Sequence, residues 1–365
     1  MGAEIKNISG PSSDHPDAVI SSMETSTAGI NTAGRLTALW ALSEAALGGV
    51  LHVFRIPFTG LFVGSSAVLL ITLISFFSQK KGEILRATVI VLIVKAIVSP
   101  YTPINSYAAV FLQGLLGEIF FRFLKNKNIA AFLLGVSSLL LSAFQKLFVI
   151  TIVFGMNIWN SIDLFGNYVI SQFLIDPADL PSWQISLSLI FMYVLIHLAV
   201  GIFAGLGSPK LSRKIVLEIK NRDKLIDIDF SRSAVPEVRK KSRRLAKKIS
   251  GYFIFMIAFS IMMLSYIFPV FEKSQGNAAM IMVFRSVTIM VLWYFIIGPY
   301  LLKRVRILLA KKEHRYSAQV DEILDLFPKL KLIVKQSWDE SKEYKRSEIV
   351  NKFFIFLFVR ILSAK

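Results

Sequence analysis

The chain of 365 residues is predicted to be all-α and polytopic: a six-helix transmembrane bundle, two further transmembrane helices, and amphipathic cytoplasmic helices. Three observations predict this. Hydrophobic residues make up 54% of the chain and its mean hydropathy is +0.59, outside the range usual for water-soluble domains. Eight stretches approach or exceed the length of about 20 apolar residues that spans a hydrocarbon core of about 30 Å. The connections between them alternate between Lys/Arg-rich and nearly uncharged, and in short loops that bias decides which side stays cytoplasmic.

The first span covers residues 36–54 and the second 60–77. A basic turn with Lys80, Lys81 and Arg86 follows. The third span runs to about Val98 and meets the uncharged loop 99–106. The fourth ends at Phe123 beside Arg122, Lys125 and Lys127, and the fifth covers 129–154. A long connection over 155–182 carries Asp163, Asp176 and Asp179 and no Lys or Arg, so it is expected on the outer side. The sixth span is 183–206. With the basic turns inside, Arg55 is the only cation in an outer loop of these six helices.

Residues 208–250 form a soluble, strongly basic linker. Two more spans, 251–270 and 278–302, flank a short outer turn holding Lys273. Beyond them, Val320, Ile323, Phe327, Leu330 and Val334 recur at intervals of three and four, the mark of an amphipathic helix. Pro328 is expected to kink that helix or to start a new one. The apolar run 349–362 is too short to span and is expected to lie in the interface or against the other cytoplasmic helices. The domains are therefore a disordered tail (1–34), a six-helix module (35–207), a basic linker (208–250), a two-helix module (251–303) and a cytoplasmic or interfacial helical region (304–365). The protein is expected in a plasma (inner) membrane with both termini cytoplasmic.

Composition also limits function. The formal charge of +18 sits in turns that flank apolar segments. Attraction to anionic lipids of the bilayer accounts for it, and no nucleic-acid partner is expected. The absence of Cys removes disulfides and thiolate sites. No phosphate loop, HExxH or paired metal-ligand spacing occurs, so neither an enzyme nor a bound cofactor or metal is expected.

Ionisable residues within spans are costly and so become functional candidates: Glu44, Lys95, Glu118, Lys146, His197 and Arg285. The alternatives are a structural ion pair such as Lys95 with Glu118, snorkelling of Lys95 to the near interface, or simple packing of His197. Glu118 and Lys146 lie deeper, which suits a polar cavity. The outer loops supply a second group, with Arg55 in the first, Tyr101 and Asn105 in the second, and Asn157 and Trp159 opening the third. Together with Lys95, Glu118 and Lys146 these are the substrate-binding candidates, because a small-molecule pocket needs a few fixed polar groups in an apolar wall. Each also has an ordinary use in a turn or at the membrane interface. Ala41, Ala45 and Gly49 recur every fourth residue on the first span, and Gly201 and Gly205 on the sixth. Such faces allow close helix approach, within the chain or with a partner.

Six helices with both ends inside, the Ala41-xxx-Ala45 pair, polar outer loops and the run Ile56-Pro57-Phe58-Thr59-Gly60 together resemble the substrate-binding (S) components of energy-coupling factor transporters, over roughly residues 34–207. The resemblance implies a small solute bound at the outer face under loops one, three and five. It implies that Ala41, Ala45 and Gly49 face a transmembrane coupling (T) component, and that uptake draws energy from partner ATPase subunits. Metal-carrying members usually begin with a His-containing segment; here only His15 stands in the tail, so the expected ligand is a vitamin-like organic solute. The C-terminal part departs from the pattern and lacks the coupling component's Ala-Arg-Gly type signature. The competing expectation is a membrane scaffold or assembly protein that acts through its basic cytoplasmic helices.

Overall fold

Five consecutive apolar residues followed by a lysine, Ile90 to Lys95, explain where the core lies. All are buried, so the helix that carries them must be covered all round. In the computed structural model it is enclosed by neighbours on every side. The structure describes residues 32–47, 59–78, 80–99, 102–173, 184–221, 275–346 and 348–363, and no strand occurs among them.

In chain order the helices are α1 (Thr32–Leu42, continued by a π-helical turn, Ser43–Leu47), α2 (Thr59–Phe77), α3 (Glu83–Val98), α4 (Ile104–Phe123), α5 (Lys127–Phe154), α6 (Asn157–Phe173), α7 (Ile185–Asn221), α8 (Gln275–Leu292), a second π-helical turn (Trp293–Ile297), α9 (Gly298–Ser341) and α10 (Ile349–Ser363). Among the described residues five helices are long and apolar enough to cross a membrane: Gly60–Phe77, Ile104–Phe123, Lys127–Phe154, Ile185–Glu218 and the stretch opening at Val283. That is the pattern of a multi-pass membrane protein. The central α3 has 16 residues, about 24 Å at ~1.5 Å per residue, and is shorter than a typical span.

Helices α2 to α5 run up and down with one register. Thr88 of α3 packs onto Gly114 of α4, Ile71 of α2 onto Gly117, and Ser142 of α5 onto Gly60. At one end lie Lys80, Lys81, Arg122 and Lys127, here called the basic end; the far end holds the start of α4 and the end of α5. The closest helix contact is between α5 and α7. A β-carbon on Gly201 would stand 2.8 Å from the Gly135 carbonyl oxygen, and one on Gly205 would stand 2.8 Å from the Cα of Phe132. The spaced glycines of the sixth span thus serve packing within the chain.

Four features depart from the sequence reading. The connection 155–182 contains α6, since Ile158, Ile162, Phe165 and Val169 recur at helical intervals that its acids do not interrupt. Asp163 instead accepts the backbone N–H (2.6 Å) and hydroxyl (2.8 Å) of Ser186 and so caps α7. The sixth span does not stop before the basic linker; α7 runs through Pro209 to Asn221. No new helix starts at Pro328: α9 continues on both sides of it, with Val320, Ile323, Leu330 and Ile333 buried. Finally α8, its π-helical turn and α9 form one unbroken rod from Gln275 to Ser341, about 100 Å long. The seventh expected span (251–270), residues 1–31 of the tail and most of the basic linker lie outside the described residues; Thr32, Ala33 and Gly34, expected in the tail, open α1.

The region 304–365, expected to be a cytoplasmic or interfacial helical region, packs on the bundle: α9 lies against α1 and α3. Its stripe of Leu302, Val305, Leu309, Tyr316, Val320, Ile323, Phe327 and Leu330 packs on the core, and α10 adds Leu357, Phe358 and Ile361. Arg35 donates to the carbonyl of Ile361 at 3.1 Å, and Arg360 pairs with Glu340 at 2.5 Å. Near the basic end Glu322 acts electrostatically on Arg35, and near the far end Arg306 acts on Tyr107. The rod therefore follows the bundle from far end to basic end. A continuous apolar stripe that long finds more cover on the bundle than away from it.

Candidate functional site

Lys95 ends the buried run of α3, and its neighbour sets its chemistry. Its Nζ lies 2.7 Å from Glu44 Oε2, and each side chain is 3% exposed. Glu44 belongs to the π-helical turn at the end of α1, a local widening of the kind often found at functional sites. Ser43 stabilises the entry to that turn by donating to the Trp40 carbonyl at 2.9 Å. Lys95 also sits in the last turn of α3, where a cation is favoured by the helix dipole. The pair expected as Lys95 with Glu118 is thus Lys95 with Glu44.

Glu118 is occupied at the other end of the bundle. It accepts the backbone N–H of Gly82 (2.8 Å) and of Leu85 (3.3 Å), capping α3. Gly82 has φ of 84°, a conformation that favours glycine, and it turns the chain so that these N–H groups reach the carboxylate. Counting helical rise, Glu118 and Lys95 are about 18 Å apart along α3. Glu118 therefore does not share a cavity with Lys95. Lys146 is exposed on α5 and lines no polar interior among the described residues.

The register that sets Thr88 against Gly114 puts Lys95, seven residues on, level with Tyr107, seven residues back. Tyr107 is 3% exposed and its hydroxyl has no hydrogen-bond partner among the described residues; the same holds for Trp40 Nε1 and Ser138 Oγ. A buried polar group without a partner is destabilising unless something else satisfies it. Asn105, in the first turn of α4, is half-buried, and its carbonyl accepts from Gln145 at 3.4 Å. The far end thus gathers Glu44, Lys95, Asn105 and Tyr107 on three helices.

The remaining candidates divide. Asn157 begins α6, and Trp159 donates its indole N–H to Thr151 at 3.1 Å, joining α6 to α5. Arg55, Tyr101 and Gly49 lie outside the described residues. Ala41 is fully buried and Ala45 is 8% exposed, so the chain's own helices cover the described part of that small-residue face. His197 is 1% exposed, with Nδ1 2.9 Å from the Tyr193 carbonyl and its ring against Tyr193, a packed histidine. Arg285 rests on Gly155 at the end of α5.

Sequence reasoning passed over Tyr107 and Arg306. Tyr107 sits just past the outer loop and carries no charge, and Arg306 follows a span and reads as an ordinary flanking cation. The available signal was that Glu44 and Lys95 are opposite charges, placed in the first and third spans. No family model, curated protein or solved structure matches the chain.

Proposed function

We propose that the protein is a membrane transport subunit that binds a small organic, vitamin-like solute at the far end of the bundle. In this reading the far end faces outward, the Lys/Arg-rich turns stay in the cytoplasm of a plasma (inner) membrane, and a T component with ATPase subunits supplies energy. The observation that carries it is the buried Lys95–Glu44 pair, level along the bundle with a buried Tyr107 hydroxyl that has no hydrogen-bond partner among the described residues. A few fixed polar groups in an apolar wall make a small-molecule site. A buried ion pair costs desolvation that two apolar side chains would not. Function is the usual reason for such a pair to persist.

Thermal unfolding of the purified protein across a vitamin panel tests the proposal. One solute should raise the midpoint, and Glu44→Gln or Asn105→Ala should remove that rise. A flat response across the panel, with no ATPase co-purifying, would sink it. The scaffold reading draws on one observation, the exposed charged face of α9 that includes Lys331 and Lys335. If charge reversal at both lysines abolishes function in cells while the panel stays flat, the scaffold reading replaces the transport one.

A further inference from the structure

Glu118 and Asp163 cap helices, Arg360 pairs with Glu340, and Arg304 stacks on Tyr300 at 5.3 Å. The cations where α7 passes the start of α5 have no acidic partner among the described residues. Along α7, Phe203, Leu206, Lys210 and Arg213 follow one another at intervals of three or four, so they share one face. All four are exposed, Phe203 by 81%, and the face turns from apolar to basic toward the basic end. The facing helix does the same: exposed Ile129 of α5 stands just above Lys125 of the α4–α5 turn. Arg213 joins the two elements, its guanidinium donating to Asn128 Oδ1 at 2.8 Å. We propose that the seam between α5 and α7 binds an anionic phospholipid, with the headgroup phosphate held by Lys210 and Arg213 and the acyl chains along Phe203, Leu206 and Ile129.

The charge points to an anion. No Asp or Glu occurs between Ile119 and Ile162 or between Leu198 and Leu217, and the first acid beyond, Glu218, stands more than a turn past Arg213. The Asn128 amide that Arg213 meets is neutral, so it fixes the guanidinium without cancelling its charge. Guanidinium and ammonium groups both hold phosphate well. The order of the groups points to a lipid and away from a soluble anion. Phe203 and Leu206 belong to a stretch of α7 apolar enough to cross a membrane, and such exposed side chains need an apolar solvent. Lys210 and Arg213 follow directly, at the level where anionic headgroups attract basic residues. The glycine contact of Gly201 and Gly205 with α5 holds the two helices together within two or three turns of the cations, which keeps the seam in shape. The site needs only the multi-pass fold and does not depend on the transport reading.

The test titrates the full-length protein in detergent with phosphatidylglycerol and follows the thermal midpoint. A saturable rise is expected. Phosphatidylcholine, which has chains but no net charge, and glycerol 3-phosphate, which has the charge but no chains, should each act about tenfold more weakly or less. The combined Lys210→Gln and Arg213→Gln variant should lose about tenfold or more of the phosphatidylglycerol affinity, while Arg213→Lys keeps most of it. Lys80→Gln with Lys81→Gln removes the same charge from another turn of the basic end and should change the affinity by less than about twofold. All four side chains are exposed, so these variants are expected to fold. Equal losses in the two double variants would reduce the effect to general attraction and overturn the site. An equal response to glycerol 3-phosphate would mark a free-phosphate site, and an equal response to phosphatidylcholine would remove the role of charge; either would overturn the proposal.

Discussion

Lys95 and Glu44 illustrate how one buried contact sets the energetics of its surroundings. At 3% exposure each, neither charge has water to fall back on. Removing one partner should therefore cost about 3–5 kcal/mol, because the other remains buried and unpaired. Replacing both should cost far less than the sum. Thermal unfolding of Lys95→Met, Glu44→Gln and the double variant checks this; additive losses would mean the two groups do not depend on each other. Glu118 is a different kind of carboxylate. Its two backbone hydrogen bonds predict that Glu118→Ala weakens the start of α3 by about 1–2 kcal/mol without altering solute binding. Binding that fell with Glu118→Ala while stability held would contradict the assignment as a cap.

Among the helices, the α5–α7 contact is the most demanding. Backbone lies where a side chain at Gly201 or Gly205 would have to go, so even one methyl forces the helices apart. Gly201→Leu should give a protein that no longer elutes as a single species from detergent. Gly207, two residues beyond Gly205, has nothing within 4 Å of an added β-carbon. Gly207→Ala should then be stabilising by about 0.8–1.0 kcal/mol through helix propensity alone. A loss of stability at Gly207 equal to that at Gly201 would show that propensity, not contact, governs the helix. Of these features only the glycine spacing on α7 was legible in the sequence; its partner Gly135 was not, because a lone glycine in a spanning helix carries no spacing signal. The α6 helix was obscured in the opposite way. Its acids and position between spans read as a loop, although its apolar residues keep helical intervals.

Taken as a whole, the molecule has two ends of different character joined by the α8–α9 rod. The chain has no Cys, so single cysteines report on sidedness without interference. Lys81→Cys and Asn160→Cys, both exposed, should react with a membrane-impermeant maleimide from opposite sides. Lys331→Cys should follow Lys81→Cys, since that part of α9 lies toward the basic end. Labelling of Lys81→Cys and Asn160→Cys from the same side would refute the up-and-down arrangement. The rod's charged face points away from α1 and α3, and charge facing hydrocarbon is expensive. That face is therefore the part of the molecule where water, headgroups or a polar partner must be present.

By itself the sequence determined the helical, multi-pass character, the presence of several segments apolar enough to span, and the close packing at Gly201 and Gly205. Each follows from the transfer of one helix between water and an apolar phase, or from a spacing within one helix, and needs no knowledge of neighbours. Only the tertiary structure decided that Lys95 pairs with Glu44, that Glu118 caps α3, that the Tyr107 hydroxyl is buried with no partner among the described residues, and that α9 covers α1 and α3. These depend on which helices stand side by side and in what register. Hydropathy and charge bias are nearly the same for many such arrangements, whereas hydrogen bonds and ion pairs distinguish between them.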